Sequence, residues 1–341
     1  MSKNSWQNWS GSVSCSPAKI AKPSTLDELV QLVRDAARES RSLRVFGAGH
    51  SFTRLVETDQ VLVSLDNLTG VESADPESGR ATVWAGTRLK DLGEALFQKG
   101  VAQENLGDID EQSIAGAVGT GTHGTGITLG SIATQIEGLT IVTASGLVVE
   151  CSPDSNRDLF KAAQVSIGAL GVIAKITLRV LPSYKLKRES SRVTLDHCLS
   201  HLDEYKQNNR NFEFFWFPFS EYCQAKFLNV TDAPQTKVDT FNRFLENRVF
   251  SFLSESCRLM PGLCQRVSRL AGRTIPNVVE VDYSHRIFPT PRLVKFQEME
   301  YNVPAENFVA TLTEIRECID CEKFAVHFPV ECVFLSDDDI L

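Results

Sequence analysis

Apolar positions along the chain switch between two spacings. Residues 18–23 alternate as a short strand, and Thr25-Leu-Asp-Glu28 has the form of a capping box, predicting a helix with Leu29, Val30, Leu32, Val33 and Ala36 on one face. Strands are predicted at 43–46, 61–65 and 81–84, broken by Asp66-Asn67 and Pro76-Glu-Ser-Gly79, and a helix over 89–99 closes this unit. After a glycine-rich stretch from Leu106 to Gly130, alternation over 136–149 predicts a hairpin turning at Ala144-Ser-Gly146. A helix over 157–163, the segment Ser166-Ile-Gly-Ala-Leu-Gly171 and a strand over 172–180 follow. At Leu181-Pro182 the character changes. Beyond it glycine thins out, and an aromatic strand (Phe212-Glu-Phe-Phe-Trp-Phe217) and amphipathic helical stretches over 241–270 and 305–319 take over. A domain boundary is expected near residue 182, giving units 1–182 and 183–341.

Length agrees with that division, since 341 residues exceed what one core of about 150 residues organises. A net charge of −8 leaves no excess of cations to neutralise a phosphate backbone, so nucleic acid is not an expected partner. Residues 1–11 lack the basic segment and apolar run of a secretory signal, and no apolar stretch approaches the ~20 residues that span a bilayer. Nine scattered cysteines read as reduced thiols of a cytosol-like compartment, with no metal expected. Cys318-Ile-Asp-Cys321 reads as two helix-end residues.

Glycine carries the candidate chemistry. Gly47-Ala-Gly-His-Ser-Phe52 follows a strand as a dinucleotide-binding turn would. Phe52, however, stands in place of the third glycine, and too few residues follow for the crossover helix. What is left is a tight turn with a histidine and a serine at its tip. In Gly116-Ala-Val-Gly-Thr-Gly-Thr-His-Gly-Thr-Gly126, glycines alternate with threonines, offering N–H and hydroxyl donors with little bulk, as close approach to a large phosphorylated ligand requires. Ser166–Ile173 adds a third glycine-kinked junction.

In this order and spacing the three segments resemble the flavin-binding domain of the vanillyl-alcohol oxidase/p-cresol methylhydroxylase superfamily. Trp9-Ser-Gly, Asn105-Leu-Gly, Phe212-Glu-Phe-Phe-Trp-Phe-Pro218, Glu298-Met-Glu-Tyr-Asn-Val-Pro304 and Phe328-Pro-Val-Glu331 resemble its sugar-lactone (aldonolactone) oxidoreductase branch. The resemblance implies an α+β fold: a p-cresol methylhydroxylase-type FAD-binding domain and a mixed α/β substrate, or cap, domain. FAD is the implied cofactor, bonded covalently to His50 through the ring 8-methyl group. Gly47, Ala48, Gly49 and Ser51 would cradle the pyrophosphate. Gly116, Gly119, Thr120, Gly121, Thr122, His123 and Gly124 would line the same cofactor, and Ile173 would meet its adenine or ribose end. Ser113 would lie near flavin and substrate. Gly107, lacking a Cβ, would leave molecular oxygen room to reach the reduced ring.

The implied reaction removes a hydride from the carbinol carbon of a sugar lactone or polyol, gives hydrogen peroxide from oxygen, and belongs to ascorbate-type biosynthesis. Glu331 would stand beside the reacting hydroxyl and Glu298 would contact substrate. Two departures from the family pattern stand out. Glu331-Cys-Val333 replaces the usual Glu-x-Arg and supplies no cation. The His-Trp-Gly-Lys that completes the family's site occurs nowhere in the sequence, so the second domain is expected to be unfinished. A dehydrogenase using cytochrome c or a quinone, and a flavin-binding chain without catalysis, are the alternatives. The stretch 241–270 is expected to pack on its own domain, with peripheral membrane contact as the alternative.

Overall fold

The structure, a computed structural model, describes residues 4–236, 240–290, 294–338 and 340, with the side chains of 240–247 outside that description. Helix Leu26–Arg38 starts where expected. Thr25 Oγ1 accepts the Glu28 N–H at 3.1 Å, while the Glu28 carboxylate reaches back one residue beyond the cap to the Ser24 N–H at 2.7 Å. Leu29, Val30, Val33 and Ala36 are buried and Leu32 packs at the edge of the same core. The helix connects strand Lys19–Ala21 to Leu43–Phe46, and both pair in parallel with Val61–Ser64 between them. All four residues of that central strand are buried, as expected for a strand flanked on both sides.

A five-stranded antiparallel sheet follows, in the order 148–151, 136–142, 172–179, 80–84, 71–75. Its hairpin turns at Gly146 (φ +76°) as the pattern indicated. Leu89, Leu92 and Leu96 of helix Leu89–Gln98 and Ile141 and Ile176 of the sheet meet in one core.

A second five-stranded antiparallel sheet has the order 278–283, 185–194, 222–230, 211–216, 330–333. Its two faces differ in chemistry. On one, Phe212, Phe214, Trp216, Ala225 and Cys332 bury themselves against Leu195, Leu202, Leu312 and Ile319. On the other stand Glu213 opposite Lys226, Arg188 opposite Glu280, and Glu331 opposite Phe215. This charged face meets residues 103–126 of the first half. Asn211 bonds Asn105 Oδ1 at 3.1 Å, the Tyr184 hydroxyl donates to the Glu104 carbonyl at 2.7 Å, and the Gly126 N–H donates to Phe334 O at 2.6 Å.

The stretch expected as one helix over 241–270 is two, Thr240–Leu259 and Cys264–Thr274, because Pro261 has no N–H to continue the first. The expected apolar face of residues 241–247 lies outside the described side chains. No helix among the described residues is long and apolar enough to cross a membrane.

Candidate active site

Strand Leu43–Phe46 ends at Gly47, and the turn after it is held from the amino-terminal side. The Trp9 N–H donates to Gly49 O at 2.7 Å and Asn8 Nδ2 to Ser51 O at 3.1 Å. Gly49 has φ +71°, where a side chain would be strained. The Trp9 indole stacks on the His50 ring at 5.1 Å with 23° between planes. Burial, with a smaller push from Arg88 that Glu111 opposes, lowers the His50 pKa and favours the neutral imidazole whose lone pair a nucleophile needs.

The glycine–threonine segment is in part helical. Residues Ile114–Gly119 form a short helix, and Ser113 caps it by accepting the Gly116 N–H at 3.3 Å. The donors expected from Thr120, Gly121 and Thr122 are partly used internally. Their amides bond Gly116 O, Val118 O and Ala117 O, and the Thr120 hydroxyl bonds Gly116 O at 2.9 Å. The physical reason is that a buried chain must satisfy its own amides before any ligand arrives. Ser113 is thus a cap as well as a wall: a Cβ on Gly47 would lie 2.1 Å from its Oγ.

One cleft gathers most of the expected residues. Gly47, Ala48, Gly49, His50, Ser51, Ser113, Gly116, Gly119, Thr120 and Ile173 all line it. Seven of its lining residues are glycines, so a ligand would meet bare backbone over much of its length. Three observations fit FAD. Leu55 and Ile167, on its wall, are 42% and 56% exposed, apolar surface that a flat aromatic ligand would cover. Gln112 gives its Nε2 to Thr122 at 3.1 Å, while its buried Oε1 has no partner among the described residues and suits a ligand N–H. A Cβ on Gly119 would meet nothing within 4 Å. In a His50→Ala background, where flavin is exchangeable, Gly119→Leu should therefore leave the flavin-free protein as stable as before and weaken flavin binding by tenfold or more, about 1.4 kcal/mol, measured by titrating flavin into the stripped protein.

Other glycines serve backbone packing. A Cβ at Gly124 would lie 2.2 Å from Leu106 O, and one at Gly107 would lie 2.7 Å from His123 O. The missing Cβ of Gly107 is thus filled by a carbonyl, not by open space. Gly121, φ +70°, turns the chain into this loop.

His123 bonds Gly124 O through Nδ1 at 2.9 Å and Glu300 through Nε2 at 2.5 Å. Glu298, the residue chosen from the motif, is exposed two positions earlier, and Glu300 makes this contact. Burial works against protonating His123, but the hydrogen bond and charge of Glu300 outweigh it and raise its pKa. The same bond lowers that of Glu300. The histidine's contribution is complete below its unfolded value and lost as pH rises through the folded one. The glutamate's is complete above its unfolded value and lost as pH falls through the folded one. Both are present between about pH 4.3 and 6.5. Glu300→Gln should cost most stability in that window, read from melting temperature against pH.

Glu331 lies on strand Val330–Val333, and its carboxylate is within 4.8 Å of those of Asp108 and Glu213. Lys226, 6% exposed, pairs with two of the three, 2.8 Å from Asp108 and 2.6 Å from Glu213. Burial alone would depress its pKa, yet Asp108 and Glu213 raise it above the ordinary lysine value. Sequence reasoning passed over Lys226, Asp108 and Glu213. A glutamate inside the aromatic run 212–217 was the available signal, because a buried carboxylate demands a partner.

Residues 17–152 match the family model described as FAD binding domain, and residues 176–341 match that described as D-arabinono-1,4-lactone oxidase. The chain is 35% identical over 338 residues to an L-gulono-1,4-lactone dehydrogenase of Mycobacterium tuberculosis and 32% identical over 343 residues to an L-gulonolactone oxidase of Bos taurus. Each match covers 98% of this chain and 78% of the relative. In fold it is similar to cholesterol oxidase from Brevibacterium sterolicum, with a TM-score of 0.79 at 17% identity over 96% of this chain and 71% of that one. The chain belongs to the FAD-binding aldonolactone oxidoreductase family, whose members include L-gulonolactone and D-arabinono-1,4-lactone oxidases.

Proposed function

We propose that the protein oxidises a hydroxyl of a sugar lactone or polyol with FAD, in ascorbate-type biosynthesis. The observation carrying this is the pairing of a glycine-built cleft, with His50 at its turn, and a charged sheet face bearing Glu331. The segment Gly107-Asp108 packs on His123 and is ion-paired to Lys226 of that face. On this reading the cleft is the cofactor site, with His50 bonded to the flavin, Gly47–Ser51, Ser113, Gly116, Gly119, Thr120 and Ile173 along it, and Gly121, Thr122, His123 and Gly124 continuing the chain beyond its lining. Residues 1–182 are the flavin domain and 183–341 the substrate domain. The separate family matches and the aromatic core of the second sheet support that division.

FAD, when bound, supplies a two-electron acceptor for the hydride leaving the carbinol carbon. The protein's part is to take the hydroxyl proton and hold the substrate. Glu331, exposed at the end of the charged face, accepts that proton. Lys226, held in place by Asp108 and Glu213, is assigned the cationic part that Val333 cannot play. Glu331→Gln should slow anaerobic flavin bleaching by L-gulono-1,4-lactone about 10²–10⁴-fold with flavin content unchanged. A loss below tenfold would remove Glu331 from this role.

Oxygen is the proposed acceptor. A dehydrogenase is the second reading, favoured by the His123 carbonyl that fills the space beside Gly107. Oxygen uptake against dye reduction separates the two. Peripheral membrane contact is proposed only for the helix Thr240–Leu259 and its end, where Phe252, Leu259 and Met260 are exposed.

A further inference from the structure

Away from the cleft, the hairpin of helices Thr240–Leu259 and Cys264–Thr274 has a small core of its own, Cys257, Cys264 and Val267 with Leu253 and Leu263 at its edge. So little apolar surface stabilises a helix pair weakly. Both cysteines are 2% exposed and neither is in a disulfide. Against them lies His327, half-buried, from the segment that leads into the strand carrying Glu331. One ligand atom from each of the three residues falls within 4.8 Å of the others, and His327 Nδ1 is 4.0 Å from Cys264 Sγ. The far nitrogen, Nε2, is 2.9 Å from Ser254 Oγ. A proton on Nε2, donated to that hydroxyl, leaves the Nδ1 lone pair directed at the sulfurs.

We propose that Cys257, Cys264 and His327 form a structural zinc site that pins the helix hairpin to the segment before Glu331. The donor set is the soft sulfur-and-imidazole combination that zinc selects over magnesium or calcium. Bond lengths of about 2.3 Å to sulfur and 2.0 Å to nitrogen place tetrahedral ligands roughly 3.5–3.8 Å apart, so only a small contraction is needed. Ser254 fills the outer role that orients a ligating histidine, and the half-exposed side of His327 leaves solvent to supply a fourth ligand. Two thiol protons are released as the ion enters. The ion would thus brace the strand bearing Glu331 from four residues away without touching substrate.

The test uses the full chain, purified without chelating tags and stripped of metal. Cobalt(II) should bind one to one with a thiolate-to-metal absorption band. Zinc should raise the melting temperature by at least about 2 °C. Cys257→Ser and Cys264→Ser should each abolish the band, and His327→Ala should weaken cobalt binding at least tenfold. Cys318→Ser/Cys321→Ser should retain it, with far-ultraviolet circular dichroism showing every variant folded. The proposal is overturned if no band forms, if the band survives in Cys257→Ser/Cys264→Ser, or if mass spectrometry finds a Cys257–Cys264 disulfide in the freshly purified protein. None of these readouts depends on flavin or turnover, so they stand apart from the oxidase reading.

Discussion

Lys226→Met is expected to destabilise the protein by about 3–5 kcal/mol, read as a lower urea midpoint. The magnitude comes from what stays behind. Asp108 and Glu213 would remain in a site with almost no access to water, their charges uncompensated, while the methionine fills the space. Lys22→Met is the comparison, since its ion pair with Asp66 at 3.5 Å is exposed on both sides and should be worth less than about 1 kcal/mol. The raised lysine pKa sets the pH sense. The stabilisation is complete below the unfolded lysine value of about 10.4 and fades as pH rises through the folded value. Equal midpoint shifts for the two variants would show that the buried cluster is solvated after all. Because the Asp108 and Glu213 carboxylates that hold Lys226 lie within 4.8 Å of that of Glu331, a folded Lys226→Arg variant should keep most of the stability and lose turnover.

The other large effect concerns His50. Acid precipitation of the native protein should leave the yellow colour in the pellet, and His50→Ala should release it to the supernatant, an all-or-none change. Colour released by the native protein would refute the covalent bond while leaving flavin binding intact. Trp9 stacks on the imidazole at 5.1 Å and its amide holds Gly49, so the ring's position is set by the turn at Trp9 as well as by its own loop.

How far the sequence reached differs between the two halves. Short-range patterns located the capped helix at Leu26, the central strand from Val61 and the hairpin at Gly146, because each rests on contacts within one or two elements. The glycine segments were legible as close-approach sites. Their division of labour was not, since Gly124 faces Leu106 O while Gly119 faces nothing, and a glycine looks the same in sequence either way. Edge strands Val278–Tyr283 and Val330–Val333 escaped because they are short and their partners lie far along the chain.

By itself the sequence determined the order of most elements of the first half, the glycine scaffold with His50 and Ser51 at its first turn, and the presence of a glutamate at position 331. Those depend on residue type and local spacing. Only the tertiary structure decided that Glu213 stands across from Lys226, that Asp108 from the other half completes the pair, and that Cys257 and Cys264 meet His327. Strand register and helix packing set such meetings. They follow from the summed burial of whole faces, which no single motif records.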